Sequence, residues 1–262
     1  MHAAAPGDPH VEVREVALSF GSRPVFEDLC CAFPHGRISV LMGGSGAGKS
    51  TLLRLIGGLQ RPDRGSIRVA GEEVTSLGER DLYRVRQRLG MLFQGGALLD
   101  SLSVLDNVAL PLREHTRLSE SDVELEVQRR LDAVGLPDVG DLLPSQLSGG
   151  MVRRIALARA IVRSPEIVLC DEPFSGLDPL NVRRIEALLT RLNERLGLTL
   201  IVASHHVNSA FRMAHQLVFL LEGAAICGTP QELEASGDPR VEQFFAAERE
   251  AEAEVRAWEG AG

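Results

Sequence analysis

The spacing of apolar and polar residues changes several times along this chain, and each change predicts an element. Val11 to Phe20 alternates apolar with polar positions, the mark of a half-buried strand, and Gly21-Ser22-Arg23-Pro24 closes it as a turn. A second alternating run, Gly65 to Gly71, predicts another antiparallel strand. Residues 11–41 and 64–75 are therefore expected to form a small antiparallel sheet. Ile38 to Met42, Ile167 to Cys170 and Leu198 to Ala203 are continuously apolar. Such runs fit strands buried on both faces, and the last two are expected to be parallel. Gly90-Met91-Leu92-Phe93-Gln94 is a shorter run ending on a polar residue.

From about residue 95 to 163 the period becomes helical. Val123, Val127, Leu131 and Val134 share one face of a helix over Asp122–Val134, and Pro137, Gly140 and Pro144 interrupt the segment. A helix over Ile185–Leu196 separates the two later strands. The acidic, Ala-rich end from Ala246 to Ala257 is compatible with a helix. The pattern is that of an α/β domain interrupted by a helical insertion.

Between the Ile38–Met42 strand and an apolar helix start lies Gly43-Gly44-Ser45-Gly46-Ala47-Gly48-Lys49-Ser50-Thr51, which fits G-x-x-x-x-G-K-[ST]. Glycines let successive amide N–H groups converge on phosphate oxygens, and the helix N-terminus adds partial positive charge. Lys49 is expected to reach the β- and γ-phosphates, and the Ser50 hydroxyl to ligate Mg²⁺. The chain is thereby read as binding a nucleoside triphosphate. The strand Ile167–Cys170 ends in Asp171-Glu172. An aspartate at a strand's C-terminal end can hold Mg²⁺. Glu172, expected on the opposite side by strand alternation, is left to polarise a water. Leu147-Ser148-Gly149-Gly150-Met151 precedes an arginine-rich helix, Val152–Val162, with Ser148 suited to cap it. That helix end is a second triphosphate-binding device, useful to two chains facing each other head-to-tail.

Composition narrows the function classes. The 262 residues are 44% hydrophobic and 24% charged, ordinary for a soluble globule, with a net charge of −8. An acidic chain argues against nucleic acid as a partner. Arg80, Arg84, Arg86 and Arg88 alternate with acids and read as a solvated helix face. Cys30, Cys31, Cys170 and Cys227 show no metal spacing and read as buried or inert thiols. Residues 1–10 do not read as a signal peptide, and no apolar run approaches the ~20 residues that span a bilayer.

The order of these motifs resembles the ATP-binding cassette (ABC) ATPases from about residue 11 to 240. Walker A lies at 43–50, the Q-loop at Gln94, the signature at 147–151 and Walker B at 167–171. A D-loop follows at Ser175-Gly176-Leu177-Asp178, and His205 stands at the switch position. The resemblance implies a P-loop NTPase (RecA-like) core with an antiparallel β subdomain, over 11–93 and 164–240. It implies a helical subdomain over 94–163 and a helical tail over 241–262. It also implies ATP and Mg²⁺ as ligands, with Ser50, Asp171 and Gln94 around the metal and Phe20 stacked on adenine. Glu172 would be the general base and His205 the γ-phosphate contact. Ser148, Gly149 and Gly150 would close over the nucleotide of a second copy. Three positions depart from the common pattern: Met151 for Gln, Phe20 for Tyr, and His206 for Asp after the switch histidine.

Leu92 to Leu98 and Asp106 to Thr116, with Met151 and Asp171-Glu172-Pro173-Phe174, are similar to the Mla-type phospholipid-transport ATPases of Gram-negative bacteria. This narrower resemblance implies a peripheral subunit on the cytoplasmic face of the inner membrane. Its partners would be a permease, an MCE-type lipid-binding protein and a small accessory protein. A cassette for an amino acid or lipoprotein system stays open, as does a non-transport ABC protein acting on DNA or ribosomes. The tail carries Ala247, Ala251, Val255 and Trp258 on one helical face, a candidate docking strip or a packed terminal helix.

Overall fold

The computed structural model describes the backbone of residues 9–259 and the side chains of residues 9–250. The chain runs β1 (Pro9–Phe20), β2 (Arg23–Pro34), β3 (Ile38–Met42), α1 (Lys49–Ile56), β4 (Arg64–Val69) and β5 (Glu72–Glu73). Next come α2 (Glu79–Arg86), β6 (Leu89–Leu92), α3 (Val104–His115), α4 (Glu120–Ala133) and α5 (Gly149–Ile161). The last part holds β7 (Ile167–Asp171), α6 (Pro179–Leu196), β8 (Thr199–Ala203), α7 (Val207–Met213), β9 (Gln216–Leu221), β10 (Ala224–Gly228), α8 (Pro230–Glu234) and α9 (Pro239–Glu259).

Two sheets result. The larger has the order β10-β9-β3-β8-β7-β6, and the smaller β2-β1-β4-β5. In the larger sheet only the β10–β9 pair is antiparallel. The uninterrupted apolar runs follow from burial on both faces. Val40, Met42, Val168, Cys170, Leu200 and Val202 point into the core shared with α3 to α7. Leu41, Leu169, Ile201 and Ala203 point into a second core, where α1 packs between the two sheets through Leu52, Leu53, Leu55 and Ile56.

The structure corrects several expectations. Ile38–Met42 does not join the antiparallel sheet; its fully apolar side chains suit a central strand between β8 and β9. Helix α6 starts at Pro179, not Ile185, because Asp178 accepts a hydrogen bond from the Asn181 N–H (3.0 Å) and Pro179 suits a first helical position. Helix α5 starts at Gly149, not Val152, capped by Ser148. Arg88 lies beyond α2 and binds Glu166 with two parallel bonds of 2.7 and 2.8 Å. Cys30 and Cys227 are exposed, whereas burial pushes the Cys170 thiol up to about 12. The helix expected over 241–262 begins at Pro239, and its Val241 and Phe245 belong to the core. Ala247 is exposed; Ala251, Val255 and Trp258 lie outside the described side chains.

Three helices, α3, α4 and α5, form the helical arm. Val104, Val108 and Leu112 of α3, Val123, Val127 and Leu131 of α4, and Ile155 and Ile161 of α5 interlock in its core, and Val134 closes α4. No helix among the described residues is long and apolar enough to cross a membrane.

Candidate nucleotide site

Strand order builds the site. Along the C-terminal edge of the large sheet, β3, β8, β7 and β6 are consecutive neighbours. The segments that leave them carry residues 43–50, Ser204-His205, Asp171-Glu172 and Gln94. Residues scattered from 43 to 205 thus converge on the edge where ligands of open α/β sheets bind.

The loop after β3 is shaped by close backbone approach. Gly43 has φ 141, and a Cβ there would lie 2.6 Å from the Leu220 carbonyl oxygen. Gly48 has φ 96, and a Cβ there would meet Phe26 Cζ at 2.6 Å. Between them Gly44, Ser45 and Gly46 are exposed, and the Ala47 N–H turns back to the Gly44 carbonyl at 3.2 Å. Lys49 and Ser50 open α1, and Thr51 follows in its first turn. The Lys49 ammonium donates to the Gly43 carbonyl at 2.8 Å and to the Gly44 carbonyl at 3.3 Å. It is thus folded over the loop's concavity, beside Glu172 at 3.9 Å.

Across the edge, the Ser50 hydroxyl donates to Asp171 Oδ1 at 2.8 Å. Burial holds the Asp171 pKa above the ordinary carboxylate value, with the Glu172 charge adding to the rise and the Ser50 bond opposing it. A hydroxyl and a buried carboxylate are hard oxygen donors of the type Mg²⁺ prefers, and that ion keeps most of its shell from water and phosphate. Among the described residues no group of three or more His, Cys, Asp and Glu could hold a metal by itself. The donor set therefore fits a cation that arrives with a triphosphate.

Glu172 departs from the strand pattern. Its φ is 47, so it leaves the β conformation immediately after β7. Strand alternation fails there, and Glu172 faces the same site as Asp171 instead of the opposite side. One oxygen lies 3.9 Å from Lys49 and the other 3.0 Å from His205 Nδ1. That second oxygen is buried without an aligned hydrogen-bond donor, so the histidine contact is better described as a close ion pair. The His205 pKa is raised, first by this short side-chain contact with Glu172, against the lowering effect of burial. The His206 ring lies 4.7 Å from the His205 ring and meets Phe174 edge-on at 5.7 Å, and its backbone N–H donates to Ser204 Oγ at 3.0 Å.

Other predicted positions stand apart from this cluster. Phe20 is 54% exposed at the end of β1. Gln94 is exposed two positions beyond β6. Ser148 accepts the Met151 N–H at 3.3 Å and caps α5, while Gly149 and Gly150 pack against Leu177 and Asn181. Sequence reasoning missed the residues that hold these segments. Asn107 is fully buried; it accepts the Leu99 N–H at 2.7 Å and donates to the carbonyls of Leu99, Leu102 and Ser103. Arg159 donates to the Gly96 and Ala97 carbonyls at 2.8 Å each, tying the loop after Gln94 to α5. Arg153 does the same for the Ser175 carbonyl at 3.1 Å. The arginine-rich character of α5 was the available signal, because arginine reaches several carbonyls at once.

A phosphate loop on a central strand, an acid pair one strand beyond its neighbour and a capped helix on an inserted arm define an ATP-binding cassette. The sequence model of the ABC transporter family matches residues 26–175, and the chain belongs to that family. It is an ABC-type ATPase. It is 45% identical over 236 residues to the intermembrane phospholipid transport system ATP-binding protein MlaF of Escherichia coli K12, covering 90% of this chain and 88% of that one. The MlaF protein of Haemophilus influenzae is also 45% identical, over 239 residues, covering 91% and 90%. The probable ribonucleotide transport ATP-binding protein mkl of Mycobacterium leprae is 40% identical over 240 residues, 91% of this chain and 69% of that one. Among solved structures, a dimeric ATP-binding cassette in a post-hydrolysis state with ADP and Pi superposes with a TM-score of 0.77 at 30% identity, covering 84% and 98%. The cbiO1 subunit of a Clostridium perfringens ABC transporter complex gives 0.81 at 25% identity, covering 91% and 99%.

Proposed function

We propose that this chain is the ATP-hydrolysing subunit of a transporter that moves phospholipid between bacterial membranes. It works as a head-to-tail pair on the cytoplasmic face of the inner membrane. The observation that carries the substrate class is 45% identity to MlaF over 90% of the chain, which extends through the Q-loop and helical arm. The similarity to mkl is lower and spans only 69% of that protein, so the phospholipid reading is favoured over a nucleotide cargo.

The residues take these roles. The amides of residues 43–51 cradle the triphosphate, and Lys49 exchanges its two loop carbonyls for β- and γ-phosphate oxygens. Phe20, exposed on β1, offers its ring face to adenine. Ser50 and Asp171, already hydrogen-bonded to each other, would hold Mg²⁺ with Gln94. When bound, the metal neutralises charge on the β- and γ-oxygens. The buried Glu172 oxygen that lacks an aligned donor accepts a proton from the attacking water. His205 swings between Glu172 and the γ-phosphate. Ser148, Gly149 and Gly150 at the α5 N-terminus serve the nucleotide of the second copy, an anion site made from free helix N–H groups. Positioning and charge stabilisation carry the reaction. Phe93 and Leu99, 42% and 46% exposed on either side of the loop after Gln94, form the apolar seat for a permease segment.

The test is affinity capture of tagged Glu172→Gln protein from detergent-solubilised membranes. A permease, an MCE-type lipid-binding protein, a small accessory protein and bound phospholipid are the expected company. A permease for another cargo would overturn the substrate class and keep the ATPase. Ribosomes or DNA without a membrane protein would overturn the transport reading.

A further inference from the structure

The β1–β2 hairpin brings a second cation to the phosphate loop. Gly21-Ser22 makes its two-residue turn, with Gly21 at φ 60, and Phe20 pairs directly with Arg23 across it. Directly opposed residues of an antiparallel pair carry their side chains on one face. From Arg23 onward, β2 runs past the loop that follows β3. A Cβ on Gly46 would lie 3.3 Å from Arg23 Nη2, and one on Gly48 would lie 2.9 Å from a Val25 methyl. The other arginines beside loop backbone, Arg153 and Arg159, are bound to carbonyls. Arg23 is exposed and makes no hydrogen bond or ion pair with any described residue. Its guanidinium donors are therefore free beside Gly44, Ser45 and Gly46, which are themselves exposed.

We propose that Arg23 is a further nucleotide-binding residue, whose guanidinium takes the phosphate nearest the nucleoside and so joins the Phe20 ring to the phosphate loop. A nucleotide with its base on Phe20 and its outer phosphates at Lys49 has to pass the tip of this hairpin. Arg23 is the cation at that point, paired with Phe20 on one side and set against Gly46 on the other. A planar guanidinium presents parallel donors to two phosphate oxygens, which a lone ammonium does not. The division of labour follows from position along the chain of phosphates. Lys49 serves the outer ones, and Arg23 the inner one that ATP and ADP share.

This inference rests on the reading of residues 43–51 as the triphosphate loop. The test is calorimetric titration of the full-length protein with ADP and Mg²⁺, and with tripolyphosphate, which carries the phosphates without a nucleoside. ADP binding needs no turnover. Arg23→Gln should weaken both probes by about fivefold to tenfold, a loss between those of an exposed ion pair and a charge-assisted hydrogen bond. It should leave the Tm of the unliganded protein unchanged, because the side chain holds nothing in the fold. Arg23→Lys should recover part of the loss, and added salt should narrow the gap between wild type and Arg23→Gln. Phe20→Ala should weaken ADP and spare tripolyphosphate. An unchanged ADP affinity in Arg23→Gln would overturn the proposal. A loss confined to ADP would also overturn it, by assigning the guanidinium to the nucleoside. If Lys49→Ala weakens ADP and Arg23→Gln does not, the loop reading stands and only this inference fails; if neither weakens ADP, both fall.

Discussion

Gly48→Ala isolates the geometric demand of the phosphate loop. The native φ of 96 lies in the left-handed region, where a Cβ costs about 1–2 kcal/mol. The new methyl would also stand 2.6 and 2.7 Å from two ring atoms of Phe26 and 2.9 Å from a Val25 methyl. Phe26 is 1% exposed in the second core and has little room to retreat, so overpacking adds about 1–3 kcal/mol. The total, about 2–5 kcal/mol, corresponds to a Tm lower by about 4–20 °C for a chain of this size. If the loop yields instead, stability is spared and the amides no longer converge on phosphate. Nucleotide affinity then falls by at least about tenfold. Thermal unfolding and fluorescent-nucleotide titration divide the two. Phe26→Leu removes the colliding ring atoms, so the double variant should recover about 1–3 kcal/mol relative to additivity. Additive effects, with unchanged affinity in Gly48→Ala, would refute the contact argument.

Three further outcomes are expected. Lys49→Ala should weaken nucleotide binding itself, by titration, because it removes the ammonium seated on the Gly43 and Gly44 carbonyls. Glu172→Gln should retain binding and slow turnover by about 10²–10⁴-fold, equivalent to about 3–5 kcal/mol of barrier; near-normal turnover would remove Glu172 as the base. The raised pKa of His205 sets a pH dependence. Its ion pair with Glu172 contributes stability that is complete below the ordinary histidine value of 6.5 and is lost as pH rises through the raised one. Urea unfolding should therefore show stability falling on the alkaline side of 6.5 in the wild type, and a flatter curve in Glu172→Gln.

Local chemistry made much of the site readable. The loop at 43–51, the acids after β7 and the cap at Ser148 each obey a rule confined to a few neighbouring residues. What stayed hidden depends on distant partners. Glycine spacing announces the loop, but not that Phe26 and Leu220 press against Gly48 and Gly43. Alternation along β7 sends Glu172 the wrong way, because a positive φ at the strand's end depends on what the backbone meets there. Ile38–Met42 could be read as a strand but not assigned to a sheet, since its partners β8 and β9 lie far along the chain. Asn107 and Arg159 look like ordinary helix residues until the carbonyls they bind are seen.

The order of strands explains why the helical arm is hung where it is. The chain leaves β3, crosses to β6 at the sheet's edge and then returns through β7 and β8 to lie beside β3 again. The arm of α3, α4 and α5 is inserted between β6 and β7, so it projects from the edge without cutting the central strands. Its root is Gln94 after β6, and its last helix leads back to β7 and the acid pair. Arg159 ties that root to α5, and Arg153 ties α5 to the Ser175 loop beyond Glu172. On the proposed roles, a displacement of the arm would reach Gln94 through β6 and the neighbourhood of Glu172 through the loop after β7. The phosphate loop stays fixed on β3 between two parallel neighbours. On the proposed roles, a phosphate cradle on the central strand facing acids tied to the arm would let nucleotide state and arm position report on each other.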